Sequence, residues 1–312
     1  MKVIQMEDVT KDYGNGKGIF NVSLDIEEGE MFGYVGTNGA GKTTTLRSIL
    51  GFIKPENGKI RVNGIDPWDN GEKLMREIGY IPGEIAFPDL RSGEEVLRSQ
   101  AEFLGIKDLS RANDLIERLQ LDIRGNPRRF SKGMKQKLAI VMALMHDPKI
   151  LLFDEPTTGL DPLMRDSFMQ IVKEEHGKGK TIIMSSHMFD ELEEYSDRVG
   201  LIVNGKIIDI ADLDEIRNTS FRIYKVEFKK EEEFKKFLCN SKANIIREQT
   251  QYNQVTVRID MNDLSSFMKE VGTYDIRYIR EVKYNLESYF EEHLGLFEEK
   301  AGNGNVDKQT II

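Results

Sequence analysis

Cysteine is nearly absent. The 312 residues contain one, Cys239, and a lone thiol closes no internal disulfide, which fits a reducing compartment. Long apolar stretches are missing too. The longest, Leu138 to Met145, falls far short of the ~20 residues a helix needs to cross a bilayer. Any membrane role must therefore come through a partner chain. The N-terminus, Met1 to Asp8, carries acid early and lacks an apolar core, which argues against a signal peptide. Positive charge is in deficit: 44 Lys and Arg stand against 53 Asp and Glu, a formal charge of −9. That balance argues against nucleic acid as the main partner. Hydrophobic residues make up 39%, somewhat low, but they gather in runs that predict a packed core. The length suffices for two domains.

The clearest stretch is Gly36-Thr37-Asn38-Gly39-Ala40-Gly41-Lys42-Thr43-Thr44. An apolar strand, Met31 to Val35, leads into it and a helix from Thr45 leads out. The spacing of Gly, four residues, then Gly-Lys-Thr is that of a phosphate-binding loop. Glycines let the backbone approach an anion closely. The exposed amides form a nest of partial positive charge, and the helix dipole adds to it. Lys42 is expected on the β- and γ-phosphates, and the Thr43 hydroxyl on Mg²⁺. A Gly-rich turn without a ligand is the plainer alternative, but the strand before, the helix after and the full spacing argue against it.

The rest reads in order. Val3 to Met6 and Val22 to Ile26 alternate apolar and polar, as half-buried antiparallel strands do. Between them Tyr13 heads a loop, placed either to stack on an adenine or to pack against its own turn. Lys59 to Gly64 is a strand ending in an Asn-Gly turn, and Ile78 to Pro82 a short buried strand. Residues 92–122 are mostly helical: Ser92 with Glu95 fits a capping box, and Leu115, Ile116 and Leu119 mark a second helix over Arg111 to Leu121. Ser131 opens a long helix ended by Pro148, with Met134, Leu138, Val141, Met142 and Met145 on one core-facing stripe. Ile150 to Phe153 is apolar without alternation, hence a strand covered on both faces of a parallel sheet. Asp154 and Glu155 then fall at its C-terminal end, where ligands bind in open α/β sheets. Pro162 opens another helix. Thr181 to Ser186 is a further buried strand with His187 at its end, and Val199 to Ile208 a hairpin around Asn204-Gly205. From about residue 220 the order β-α-β-β-α-β predicts a ferredoxin-like unit, followed by a short helix over Leu286 to Leu294. The polar end is expected to be disordered.

Five pieces in this order, the phosphate loop, Ser131-Lys132-Gly133-Met134-Lys135-Gln136, Asp154-Glu155, Gly159-Leu160-Asp161 and His187, resemble the ATP-binding subunit of an ATP-binding-cassette (ABC) transporter. The resemblance covers roughly residues 1–218. It implies a P-loop NTPase domain over 1–219 with an N-terminal antiparallel β part and a helical sub-domain at about 86–147. An α+β accessory domain over 220–296 and a disordered tail over 297–312 would follow. It implies ATP and Mg²⁺ as cofactors, with Asp154 the second acid of the metal site, Glu155 the general base and His187 on the γ-phosphate. Ser131 and Gly133, from the segment that resembles the family signature, and Asp161 would face ATP held by another subunit, so the active unit would be a dimer, of like or related copies, with two sites. Asp161 would also serve as a helix N-cap. The implied partner is a separate transmembrane permease, and the implied place is the cytoplasmic face of the membrane.

One departure stands out. The family normally has Gln after the strand Ile78 to Pro82, and this chain has Gly83 and then Glu84. Glu84 or a water is the expected substitute for the missing amide. The added C-terminal unit and this departure look most like the ATPases of bacterial drug, antibiotic or bacteriocin exporters. A non-transport ATPase of the same family, or a regulatory ATP-binding module without turnover, remain the alternatives.

Overall fold

Thirteen strands and eleven α-helices follow one another among the residues that the computed structural model describes, 1–293. The tail expected over 297–312 lies outside them. Two compact units divide between Ile210 and Ala211. The composition shift near 220 had suggested a boundary at 219/220. A helix too short to show a period precedes that shift, over Leu213–Arg217, and the second unit includes it.

In the first unit β1 (Lys2–Asp12), β2 (Gly18–Glu27), β3 (Met31–Val35), α1 (Lys42–Ile49) and β4 (Asn57–Val62) come first. β1 pairs antiparallel with β2 and β4, so Met6 faces Leu24 on one side and Ile60 on the other. Alternation decides the faces: Ile4 and Met6 are buried, while Glu7 and Asp8 are exposed. Asn63 and Gly64 both take positive φ, 50° and 74°, the geometry a tight Asn-Gly reversal requires.

Next come α2 (Gly71–Met75), β5 (Ile78–Ile81), α3 (Gly93–Leu104), α4 (Ser110–Arg118), α5 (Lys132–Leu144), β6 (Ile150–Asp154), α6 (Pro162–Gly177), β7 (Thr181–Ser186), α7 (Phe189–Tyr195), β8 (Arg198–Val203) and β9 (Lys206–Asp212). The second sheet runs β5-β6-β7-β3-β8-β9, with β5, β6, β7, β3 and β8 parallel. Every residue of β3, β6 and β7 is buried, as expected of strands covered on both faces. Because these strands are parallel, the phosphate loop after β3, the acids ending β6 and His187 after β7 emerge at one edge.

The helical stretch starts at Ser92, whose Oγ accepts from the Glu95 amide at 3.2 Å. Glu95 returns a bond to the Arg91 amide at 2.7 Å, one residue before the expected partner. α4 ends at Arg118, short of Leu121, with Leu115 and Leu119 buried. The methionine stripe on α5 is only part of that helix's burial. Leu138, Val141 and Met145 are buried but Met134 and Met142 only half so, while Ile140, Ala143 and Leu144 are buried as well. The helix stops at Leu144, before Pro148.

An ion cluster ties α4 and α6 together. Glu175, 4% exposed, accepts from Arg111 at 2.6 Å and from Lys178 at 2.8 Å, and is paired with Lys180. Burial pushes the Glu175 carboxyl up, but these three cations outweigh it and hold it down at about 2. The folded value thus lies below the unfolded one, so the stabilisation is present above pH ~4.5 and is lost as pH falls through the window toward 2. Urea unfolding at pH 7 and pH 3.5 should show wild type losing more stability on acidification than Glu175→Gln. Equal losses would refute this assignment.

The second unit contains α8 (Leu213–Arg217), β10 (Phe221–Phe228), α9 (Glu231–Asn240), β11 (Asn244–Gln249), β12 (Gln254–Asp260), α10 (Leu264–Val271), β13 (Ile276–Val282) and α11 (Leu286–His293). Its sheet runs β11-β12-β10-β13, all antiparallel, the ferredoxin-like order expected. Tyr224, Val226 and Phe228 form its core with Phe234 and Phe237 of α9 and Phe267 and Val271 of α10.

Candidate functional site

The loop from Gly36 to Gly41 wraps back on itself. Gly39 and Gly41 take φ of 83° and 118°, conformations a side chain resists. At Gly36 a Cβ would meet the Ile202 carbonyl at 2.4 Å, so the loop sits flush on β8. Lys42, 5% exposed, donates to the carbonyls of Gly36 at 2.5 Å and Thr37 at 3.1 Å. Its Nζ also lies 3.2 Å from Glu155 Oε1. A cavity of about 340 Å³ is lined by Tyr13, Thr37, Asn38, Gly39, Gly41, Lys42, Thr43, Thr44 and Glu155, with Lys17 and Gly18. Ala40 is buried behind it, its carbonyl taking the Gly205 amide at 2.8 Å. Tyr13 is 53% exposed, and Lys11 Nζ lies 5.6 Å from its ring centroid.

A second cavity, about 290 Å³, shares Asn38, Thr43 and Glu155 and adds Arg47, Gly83, Glu84, Asp154 and Thr158. Here Thr43 Oγ1 donates to Asp154 Oδ2 at 2.7 Å. Gly83 passes close beside it: a Cβ there would stand 3.1 Å from the same Oδ2. Glu155 takes φ of 49°, a left-handed turn that costs about 1 kcal/mol or more outside glycine. That turn brings two acids adjacent in sequence to the same space. Glu155 Oε2 lies 3.3 Å from His187 Nδ1 and accepts from Thr158 Oγ1 at 3.4 Å.

Two organising residues were not expected. Ser185 lies opposite Asp154 in the parallel register. It donates to Asp154 Oδ1 at 2.9 Å and accepts from the Glu155 amide at 3.0 Å, which fixes both acids. Gln136, 3% exposed, donates to the Pro156 carbonyl at 2.7 Å. The bare sequence holds no motif for Ser185, because its role follows from which strand β7 sits beside.

Ser131, Gly133 and Asp161 line neither cavity. Ser131 caps α5 through the Met134 amide at 3.2 Å, and Asp161 caps α6 through the Met164 amide at 3.0 Å. Gly133 presses on the loop before Asp161: a Cβ would meet the Gly159 carbonyl at 2.9 Å. These three residues therefore form a separate surface, with Ser131 and Asp161 exposed. A larger cavity of about 800 Å³ lies within the second unit and is lined by none of the candidate site residues.

Such an edge suits a nucleoside triphosphate: amides and a buried ammonium for the phosphates, and paired acids beside them. Comparison with known proteins agrees. Residues 19–158 match the ABC transporter family. The chain is 32% identical over 304 residues to the bacitracin transport ATP-binding protein BcrA of Bacillus licheniformis, covering 94% of this chain and 97% of that one. It is 35% identical to the linearmycin resistance ATP-binding protein LnrL of Bacillus subtilis, over 67% of this chain and 68% of that one. Among solved structures, a dimeric ATP-binding cassette in a post-hydrolysis state, bound to ADP and Pi, matches with a TM-score of 0.61 and 26% identity, over 67% of this chain and 98% of that chain.

The fold and site are those of a P-loop ATPase. This chain belongs to the family of ABC transporter ATP-binding proteins, and its activity is the ATP hydrolysis that drives such a transporter. Among the described residues no helix is long and apolar enough to cross a membrane.

Proposed function

We propose that the chain powers an exporter of antibiotic-like molecules, working from the cytoplasmic face on a separate transmembrane permease. The observation that carries this is the match to the bacitracin transport protein, which spans 94% of the chain and so extends beyond the ATPase unit. Resistance in the name of the linearmycin relative supports outward transport.

In this reading ATP lies along the phosphate loop, with Lys42 on the β- and γ-phosphates and Tyr13 against the adenine. The hydroxyl of Thr43 beside the carboxylate of Asp154 is an oxygen donor set that suits Mg²⁺, and a bound Mg²⁺ would neutralise phosphate charge. Glu155 would take the proton of the attacking water, and His187, 3.3 Å from that carboxylate, would contact the γ-phosphate. Glu84, lining the same cavity, stands where its carboxylate can orient a water beside Asp154.

Ser131, Gly133 and Asp161 act on ATP bound to another copy. The exposure of Ser131 and Asp161 away from the chain's own loop supports that reading, as does the dimeric relative. A helix terminus contributes only about 0.3–2 kcal/mol toward an anion, so the whole face must close around the nucleotide. An apolar cavity of about 380 Å³, lined by Tyr80, Ile85, Phe87, Leu90, Val96 and Met142 among others, is the place for a helix of the permease. It joins the segment after β5, which also carries Glu84, to α3 and α5, so a helix seated there would touch the segment that lines the second cavity.

The test is co-expression with the candidate permease in an antibiotic-sensitive bacterium. The pair should co-purify and raise resistance to bacitracin or linearmycin. Resistance that persists with Glu155→Gln, or a chain that hydrolyses ATP yet retains no membrane protein, would overturn the exporter reading.

A further inference from the structure

The sheet of the second unit places three cations in one row. β11 pairs Arg247 with Thr256 on β12, β12 pairs Thr256 with Lys225 on β10, and β10 pairs Lys225 with Arg280 on β13. Residues directly paired across a sheet share a face. Tyr224 and Val226, on either side of Lys225, point into the core with α9 and α10, so the row lies on the opposite face. Strands are about 4.8 Å apart, and the outer two positions are thus about 14 Å apart, within reach of two arginines converging over Lys225.

Like charges directly opposed across strands are destabilising, and Lys225 directly opposes Arg280. No acid is paired into the row. Glu227, the next residue on that face, is committed to Arg277 at 2.7 Å and to Gln254. Glu292 of α11 is bound to Arg258 at 2.7 Å. Among the described residues the side chains of Lys225, Arg247 and Arg280 make no hydrogen bond or ion pair, their backbones alone joining the ladder. Burial, then Arg280 and Arg247, hold the Lys225 ammonium below its usual value against a smaller opposing pull from Glu227, so each arginine acts on the central lysine. In a chain of formal charge −9, this is a segregated basic site with a hydroxyl, Thr256, in its middle.

We propose that this sheet face binds a phosphate-bearing polyanion, with Arg247 and Arg280 as guanidinium forks and Lys225 as the central charge. Guanidinium matches phosphate oxygens in pairs, and three cations select an anion of more than one charge. The site is independent of the phosphate loop and goes beyond the transport reading. The phosphate belongs either to a free ligand or to an anionic lipid headgroup.

The experiment uses the full chain with its phosphate loop saturated by ADP. Inorganic pyrophosphate is titrated calorimetrically, and phosphatidylglycerol vesicles are tested by co-sedimentation. Wild type should bind one of these probes, more weakly as salt rises, and Lys225→Gln with Arg280→Gln should weaken it at least tenfold while ATP hydrolysis stays as in wild type. Pyrophosphate binding identifies a free ligand, and vesicle binding alone identifies a headgroup. The single variant Arg280→Gln removes a repulsion, so its melting temperature without anion should hold or rise, and added anion should raise the melting temperature of wild type alone. Should the double variant not fold, Arg247→Gln replaces it. Binding unchanged in the variants, or neither probe binding wild type, overturns the proposal.

Discussion

Glu155→Gln is expected to bind ATP and fail to turn it over. Glutamine keeps the shape of the side chain but accepts no proton. Loss of a general base costs about 10²–10⁴ in rate. The surroundings should survive, because Lys42 keeps its two carbonyl partners and the Glu155 amide keeps Ser185. With opening blocked at the hydrolysis step, the ATP-bound variant should accumulate as a dimer. Phosphate release, fluorescent-nucleotide binding and size-exclusion chromatography test the three parts. Turnover within about threefold of wild type, far short of that loss, would remove Glu155 from the role of base.

Lys42→Ala should fail one step earlier. The ammonium is almost fully buried and lies within 3.2 Å of Glu155 Oε1. Its removal deletes the cation we assign to the phosphates and leaves the Glu155 carboxylate facing the loop without that partner. Hydrogen bonds to charged groups contribute about 1.5–3 kcal/mol each, so losing two predicts a fall in ATP affinity of roughly 10²–10⁴. Lys42→Arg should not restore binding, because a planar fork does not reproduce the compact ammonium that donates to the Gly36 and Thr37 carbonyls. Equilibrium nucleotide titration separates the variants: Glu155→Gln keeps affinity and loses rate, while Lys42→Ala loses affinity itself. Comparable affinity in both would break the assignment.

Much of this site was legible before the fold. The phosphate loop is local: its glycines, its lysine and the helix dipole act within nine residues, so spacing alone encodes it. The apolar run of β6 announced its burial, and the acids behind it announced the sheet edge. The ferredoxin-like unit was legible for a related reason, since period-2 and period-3.6 patterns alternate cleanly from Phe221 to Val282. Short elements were not. α2, α7 and α8 have five, seven and five residues, too few for a period to show. The turn at Glu155 was also hidden, because a left-handed glutamate contradicts local preference and is held by Ser185 thirty residues away.

The sequence by itself determined which residues can do chemistry and in what order the elements come, because spacing, periodicity and charge act along the chain. Only the tertiary structure decided which of them meet. Strand order brings Ser185 to Asp154 and Thr43 to the same carboxylate, leaves Ser131 and Asp161 outside their own cavity, and lines up Arg247, Lys225 and Arg280 across four strands. Those contacts join segments far apart in the chain, and no local pattern encodes a distance through space.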